Sequence, residues 1–564
     1  MSTFKGKCRS CGTLAVAADG TRMAWFQLQL ACLLCIIVVA SSSSPIPPSY
    51  YTTARNTLMN TEETNAIGAN TILTSEEKQV DAILLSARNT DLLSTTGGRA
   101  LPSLNFFNAK EQILAGKLWP LITSMPKGNA LHVHSDSMGD IPWVVKNITY
   151  EPFLYYCGST TPGININDRN VSFIFSDKVP PPASCSFSSF GWRLLSKLRD
   201  LSNNVTEFDQ SLVRSLSFTS TDTGLSLTEI WFEFGKCLSA VHGLVTYDPM
   251  HIRYHQRAYE TFARDGINYV EQRQVFQQGI GGNVYTLNGT ILPWSRLVHN
   301  ILTASAAAAR TTTFKNVLLI ACAIRSTPVA AVQIALQEIH ILAGEFPNVV
   351  GFDLVGQEDP GRTLLEFVPM LLNQNQNQNP HQQLPYFFHA GETDVVGGSA
   401  DDNLFDAILL NATRIGHGYA LRHHPLLRTK VSQRDICVEV CVLSNQMLGL
   451  VSDLRNHPLH VFYAEDLPIV LSSDDPGVWG AAAYPASFDY AAAFYSMNQR
   501  HAGLAVLKKL SSNSIRYSML SGGDGDGGGG GGEKAIAMRE WEVAWKEWIG
   551  KVLLEEEMEN GSVV

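Results

Sequence analysis

From Met125 onward the chain alternates short apolar runs with longer segments whose apolar residues recur at helical spacing. That is the pattern of strands joined by helical crossovers in a parallel sheet. Eight runs stand out: NALHVH (129–134), INYVEQRQV (267–275), KNVLLIACAI (315–324), VVGFDLVG (349–356), PYFFHAGE (385–392), TRIGHGYAL (413–421), ICVEVCVLSN (436–445) and LPIVLSSDDPG (467–477). They suit strands buried on both faces, which read as continuous apolar runs. Eight strand and helix units over residues 125–520 predict an α/β protein built on a (β/α)8 TIM barrel. The gap after the first run is far the longest, so residues of about 145–245, which include PPPAS and little early periodicity, are expected to form an inserted subdomain.

The flanks read differently. Residues 45–124 are an N-terminal helical extension, in which SEEKQVDAILLSARN carries a capping signature and FNAKEQILAGKLWPLI continues the amphipathic pattern. NQNQNQN (373–379) reads as a solvated loop and residues 521–532 as a Gly-rich linker. Residues 533–564 read as an amphipathic helix whose Trp541, Trp545 and Trp548 share one stripe, suited to packing.

Composition narrows the class. At 564 residues with 45% hydrophobic and 17% charged content the chain is globular. A formal charge of -10, with no cluster of Lys and Arg, excludes nucleic acid as the main partner. Residues 1–44 read as a signal-peptide region: Lys5, Lys7, Arg9 and Arg22 precede the apolar run Met23–Ala40 and then SSSS, with cleavage expected near Ala40. The alternative is a signal anchor, because the run is just long enough for a tilted membrane helix. No second apolar run approaches membrane length, so a secreted, extracellular protein without a stable membrane span is expected. Six sequons (Asn147, Asn170, Asn204, Asn288, Asn411, Asn560) fit an export route. In an oxidising compartment Cys157 and Cys185, both in an irregular Pro/Gly/Ser-rich segment, are the expected disulfide; Cys322, Cys437 and Cys441 sit on apolar strands as buried thiols.

Chemistry gathers at the ends of the runs, and in a barrel of parallel strands the C-terminal edge is the catalytic face. The first ends in His132 and His134, which alternation points to the same side. The fifth ends in His389 and Glu392. The sixth holds His417 between two glycines, and the eighth ends in Asp474 and Asp475. Three histidines and an aspartate make an N/O donor set of the kind zinc occupies with a position left for water. A divalent ion there lowers the pKa of that water to about 7.

These residues carry a resemblance. MPKG (125–128), LHVHSD (131–136), FHAGE (388–392), RIGHG (414–418), SNQMLGLVSDLRNHP (444–458) and SSDDPG (472–477) resemble the adenosine deaminase family of metal-dependent hydrolases, and most closely its secreted branch, the adenosine deaminase-related growth factors. The resemblance implies that His132, His134, His389 and Asp474 hold one Zn2+ per subunit. It implies that Glu392 is the general acid/base protonating purine N1, that His417 hydrogen-bonds the attacking hydroxide, and that Asp475 accepts from the purine edge. Gly356 would offer its N–H to N3, Asp136 stands at a ribose 5'-hydroxyl contact, and Trp231 is a ribose-pocket candidate. A homodimer through the N-terminal helices and a disulfide in the insertion are implied as well. One departure is Ser135, which moves the aspartate one place beyond the position seen in the animal secreted enzymes. The third run also offers no histidine for the sugar site.

The expected function is therefore a secreted zinc-dependent adenosine deaminase, converting adenosine and 2'-deoxyadenosine to inosine products and ammonia by zinc-hydroxide attack at C6. A small-molecule nucleoside is the expected substrate. The alternatives are an adenine or AMP deaminase of the same superfamily, or a non-catalytic extracellular signalling or binding protein on the same fold. The other zinc deaminase class pairs H-x-E with P-C-x-x-C, and no PCxxC occurs here.

Overall fold

The eight apolar runs pair in chain order as parallel strands in a computed structural model that describes residues 47–94, 98–158, 169–188, 190–277, 282–377, 384–497, 502–522 and 532–561. The first half of the ring is β1 (Gly128–His134), followed after the insertion by β5 (Ile267–Val275), β6 (Asn316–Ile324) and β7 (Val349–Val355). The second half is β8 (His389–Ala390), β9 (Arg414–His417), β10 (Cys437–Val440) and β11 (Ile469–Leu471). Parallel bridges from Phe352 to Tyr386 and from Val133 to Asp474 join the two halves. The result is a closed α/β barrel with helices between successive strands, which leaves no open sheet edge.

Strands of the second half are shorter than their apolar runs, for a local reason. PYFFHAGE forms a ladder only at His389–Ala390, because the His389 N–H turns to the Asp353 carboxylate, 2.9 Å away, instead of a backbone carbonyl. TRIGHGYAL stops at His417, and Tyr419–His423 follows as a 3-10 turn. ICVEVCVLSN stops at Val440, and the helix Val442–Met447 begins.

Between β1 and β5 lies a three-stranded antiparallel sheet ordered β3-β2-β4, with β2 at Leu154–Gly158, β3 at Val171–Phe175 and β4 at Arg193–Leu194. Cys157 on β2 is disulfide-bonded to Cys185. The helix Leu227–Val245 follows, started by a reciprocal capping box between Ser226 and Glu229. Cys237, Cys322, Cys437 and Cys441 are buried free thiols.

The chain divides into two compact units, residues 1–63 and 64–564. In the first, the described part is the helix Pro48–Glu63 with exposed Tyr50, Tyr51 and Leu58. In the second, the helix Ser75–Leu93 receives the C-terminal helix Glu533–Gly561. Residues four and three apart on one helical face put three indoles in a row. Trp541 donates to Pro126 O at 3.1 Å, Trp545 to Glu77 Oε1 at 2.8 Å and Trp548 to Ser124 Oγ at 3.2 Å. The leader (1–44) and most of the Gly-rich tract (523–531) lie outside the described residues. The Asn/Gln tract corrects the loop expected there: the helix Leu364–Asn377 runs through its first five positions. Glutamine tolerates helix well, and the first proline after it is Pro380.

Beneath the strand tips a buried network of charge runs beside the apolar clusters of the strands. Arg414 reaches Glu271 and Glu439, each at 2.6 Å, and Arg273 reaches Glu439 at 2.6 Å and Asp353 at 2.8 Å, all fully buried. Removing one partner of such a network strands the others without solvent, at a cost of about 3–5 kcal/mol. Arg414→Met should therefore lose about that much unfolding free energy in urea titration, and a loss under about 1 kcal/mol would show the network to be dispensable.

Candidate active site

β1 places His132 and His134 on one side of the strand, and the chain after β11 is stitched between them. Asp474 N–H donates to His132 O at 3.1 Å, and His134 N–H donates to Asp474 O at 3.2 Å. This holds Asp474 Oδ1 3.2 Å from His132 Nε2 and 3.1 Å from His134 Nε2. Asp474 adopts φ +58° and His417 φ +59°, a left-handed conformation that costs energy for residues with a Cβ. His389 comes in from β8. Ligand atoms of His132, His134, His389 and Asp474 all lie within 4.8 Å of one another. A second set, His132, His417, Cys441 and Asp474, meets the same condition.

The protonation pattern shows what these atoms face. His132 Nδ1 lies 2.8 Å from Glu439 Oε2, and His389 Nδ1 lies 2.7 Å from Asp353 Oδ2. A carboxylate beside Nδ1 puts the ring proton there and leaves Nε2 as a lone pair. Burial lowers His389 to about 4 against the opposing pull of Asp353, so the ring is neutral at neutral pH. His132 Nε2 and Asp474 Oδ1 are buried without a hydrogen-bond partner. Two acceptors at 3.2 Å repel unless a cation lies between them. Charge agrees with this, since Arg273 and Arg414 are paired with three carboxylates, Glu271, Glu439 and Asp353, and Asp474, against the histidines, adds a fourth. The excess of two negative charges is what a divalent ion would neutralise. The residues present thus fit a divalent metal.

Beside this centre two carboxyls behave oppositely to Asp474. Burial, together with Asp474 and Glu358, pushes Glu392 well above the usual carboxylate range. Burial and the neighbouring Asp474 do the same to Asp475, to which Ser137 hydrogen-bonds. Asp474 is shifted the other way, below the usual carboxylate range despite its burial. Glu392 is aimed by its own backbone: its N–H and that of Gly391 donate to Glu358 at 2.9 and 3.2 Å. Gly391 has φ +70°, and a Cβ there would come within 2.8 Å of Leu404. His417 Nδ1 stands 3.6 Å from Glu392 Oε1.

One cavity touches nearly all of the residues expected from the sequence. His134, His389, Glu392, His417, Asp474 and Asp475 line its inner end; Asp136, Trp231 and Gly356 also line it, and His132 is buried behind them. Asp136, one of the expected sugar contacts, has a partner that sequence reasoning missed: His242, on the helix Leu227–Val245, whose Nδ1 is 2.8 Å away. Asp353, Glu439 and Glu358 were also missed. Their signal was a lone carboxylate in an apolar strand or at its tip, which burial makes costly without a partner. Asn445 and His457 carry no comparable mark except their place in SNQMLGLVSDLRNHP.

Comparison with known proteins agrees with this geometry. A sequence model described as adenosine deaminase matches residues 228–524, and one described as adenosine/AMP deaminase N-terminal matches residues 30–122. Adenosine deaminase 2 of Sus scrofa is 37% identical over 505 residues, covering 88% of this chain and 94% of its own. Adenosine deaminase 2-A of Danio rerio is 38% identical over 473 residues, covering 83% and 89%. In fold alone, the chain resembles the N6-methyl-AMP deaminase of Arabidopsis thaliana, with a TM-score of 0.50 at 18% identity over 76% of this chain and 99% of that one. An adenine deaminase of Arthrobacter aurescens gives the same four values.

Partners behind metal ligands set their basicity, and losing one typically weakens metal binding 10–100-fold. Asp353→Asn keeps the shape but removes the charge behind His389. Chelator competition should show a metal affinity weaker by about that factor, and wild-type affinity would contradict the orienting role of Asp353.

Proposed function

This chain belongs to the adenosine deaminase family and is a deaminase hydrolase, and we propose that it is a secreted, zinc-dependent enzyme converting adenosine and 2'-deoxyadenosine to inosine products and ammonia. The observation that carries the proposal is the convergence of imidazole nitrogens and the Asp474 carboxylate beside Glu392, whose carboxyl is pushed well above the usual range by burial, in a single cavity. His132, His134, His389 and Asp474 would hold one zinc ion per subunit, a donor set that zinc accepts readily. When bound, such an ion lowers the pKa of water to about 7 and makes hydroxide available at neutral pH.

The remaining work falls to the chain. Glu392 delivers its proton to purine N1 as C6 is attacked, so negative charge does not build up on the ring. His417 hydrogen-bonds the attacking oxygen. Asp475 accepts from the purine edge, with Ser137 hydrogen-bonded to its carboxyl. Gly356 at the end of β7 offers its N–H to N3, and Asp136 and Trp231 meet the sugar. Water adds at C6, the C6–N bond breaks, and ammonia leaves.

A nucleoside is favoured over AMP because the one arginine lining the cavity among the described residues, Arg273, is already bound by Asp353 and Glu439. That leaves a 5'-phosphate without a free guanidinium or ammonium partner. Secretion is supported by the Cys157–Cys185 disulfide, by the basic and apolar leader, and by the secreted branch that the sequence resembles. No helix among the described residues is long and apolar enough to cross a membrane. A homodimer through the N-terminal helices belongs to the same proposal, supported by the exposed Tyr50, Tyr51 and Leu58 of Pro48–Glu63.

Assaying adenosine, 2'-deoxyadenosine, adenine and AMP side by side tests the reading. Turnover should be confined to the two nucleosides; strong AMP or adenine turnover without adenosine would select the alternative deaminase, and no turnover at all a binding protein. Glu392→Gln should keep its zinc and lose about 10²–10⁴-fold in kcat, and wild-type kcat would remove Glu392 from proton transfer.

A further inference from the structure

His417 belongs to one of the two donor sets and not to the other, and which of its nitrogens carries the proton decides between them. The answer is set about two side chains away, in the SNQMLGLVSDLRNHP stretch. At its far end the backbone N–H of Leu459 donates to His457 Nδ1 at 3.0 Å. A nitrogen that accepts has no proton, so the proton of this buried ring is on Nε2. His457 Nε2 lies 2.9 Å from Asn445 Oδ1 and donates to it. This orients the amide, because the opposite orientation would set two donors against each other. The Asn445 amide nitrogen then faces His417 Nδ1 at 3.2 Å and can only donate. His417 Nδ1 is the acceptor, and its proton is on Nε2. Glu392 Oε1, at 3.6 Å from the same Nδ1, lies beyond hydrogen-bond distance and does not reverse this.

We propose that Asn445 and His457 are positioning residues whose hydrogen-bond polarity, imposed by the Leu459 N–H, locks His417 with its proton on Nε2. The consequence is twofold. A protonated Nε2 has no lone pair, so His417 cannot ligate through it, and the softer set with Cys441 is left one donor short. The metal stays with His132, His134, His389 and Asp474. The same N–H, 3.6 Å from Asp474 Oδ2, is a ready donor at the centre, able to hold the attacking oxygen without a change of tautomer. The inference rests on the deaminase reading for its kinetic consequence, but the proton positions stand apart from it.

Neutron diffraction from the zinc-loaded wild-type protein reads those positions directly. Deuterium is expected on Nε2 of both His417 and His457 and on neither Nδ1; deuterium on His417 Nδ1 would overturn the proposal. In kinetics, Asn445→Leu and the double variant Asn445→Leu/His457→Leu, which also removes the His457 N–H that the single variant would strand, should lose about 100-fold in kcat with KM within about threefold and one zinc per chain retained. His457→Gln, which can still donate to Asn445 Oδ1, should stay within about threefold of wild type. Unchanged kcat in both leucine variants would refute the positioning role, as would a parallel loss of zinc and of melting temperature, the signature of a merely structural contact. Absence of adenosine turnover in the wild type would instead sink the deaminase reading and leave the neutron result to stand alone.

Discussion

The structure is organised around a convergence that a protein alone cannot satisfy. His132 Nε2 and Asp474 Oδ1 are acceptors 3.2 Å apart, buried and without partners. Left so, each would forfeit its hydration for nothing. The fold nevertheless enforces the approach, by running the Asp474 backbone between the two histidines of β1 and by accepting left-handed backbone at Asp474 and His417. Strain and desolvation of this kind persist where a ligand repays them, and a divalent cation is the ligand with the right charge.

The ionic layer beneath the site follows from that requirement. Glu439 and Asp353 are each held between arginine and histidine, Glu439 by Arg273, Arg414 and His132 and Asp353 by Arg273 and His389. The guanidinium groups keep these carboxylates ionised despite full burial, and the ionised carboxylates keep the ring protons on Nδ1. Around the same point, neighbouring carboxyls are shifted in opposite directions: Asp474 below the usual carboxylate range, Glu392 and Asp475 above it through burial and the nearby Asp474. Such a separation of carboxyl pKa values within one cavity is what acid–base sites exploit.

Much of the barrel was legible because each strand is a buried apolar run, and much of the site because its chemistry sits at run ends, where one-dimensional pattern and catalytic face coincide. The boundaries of PYFFHAGE were not, since they depend on Asp353 capturing the His389 N–H, a contact across 36 positions of chain. Glu439 and Asp353 looked like ordinary strand residues until their partners were in place. His242, Asn445 and His457 escaped for the same reason: a hydrogen-bond chain has direction only when every donor and acceptor is positioned. The Asn/Gln tract was misread because composition suggests solvation and says little about backbone state.

X-ray absorption at the zinc edge of the purified, zinc-loaded protein tests the central claim most directly. One zinc per chain is expected, with only nitrogen and oxygen neighbours at roughly 2.0–2.1 Å. A sulfur neighbour at roughly 2.3 Å, which would bring Cys441 into the centre, or a protein that retains no zinc, would contradict it.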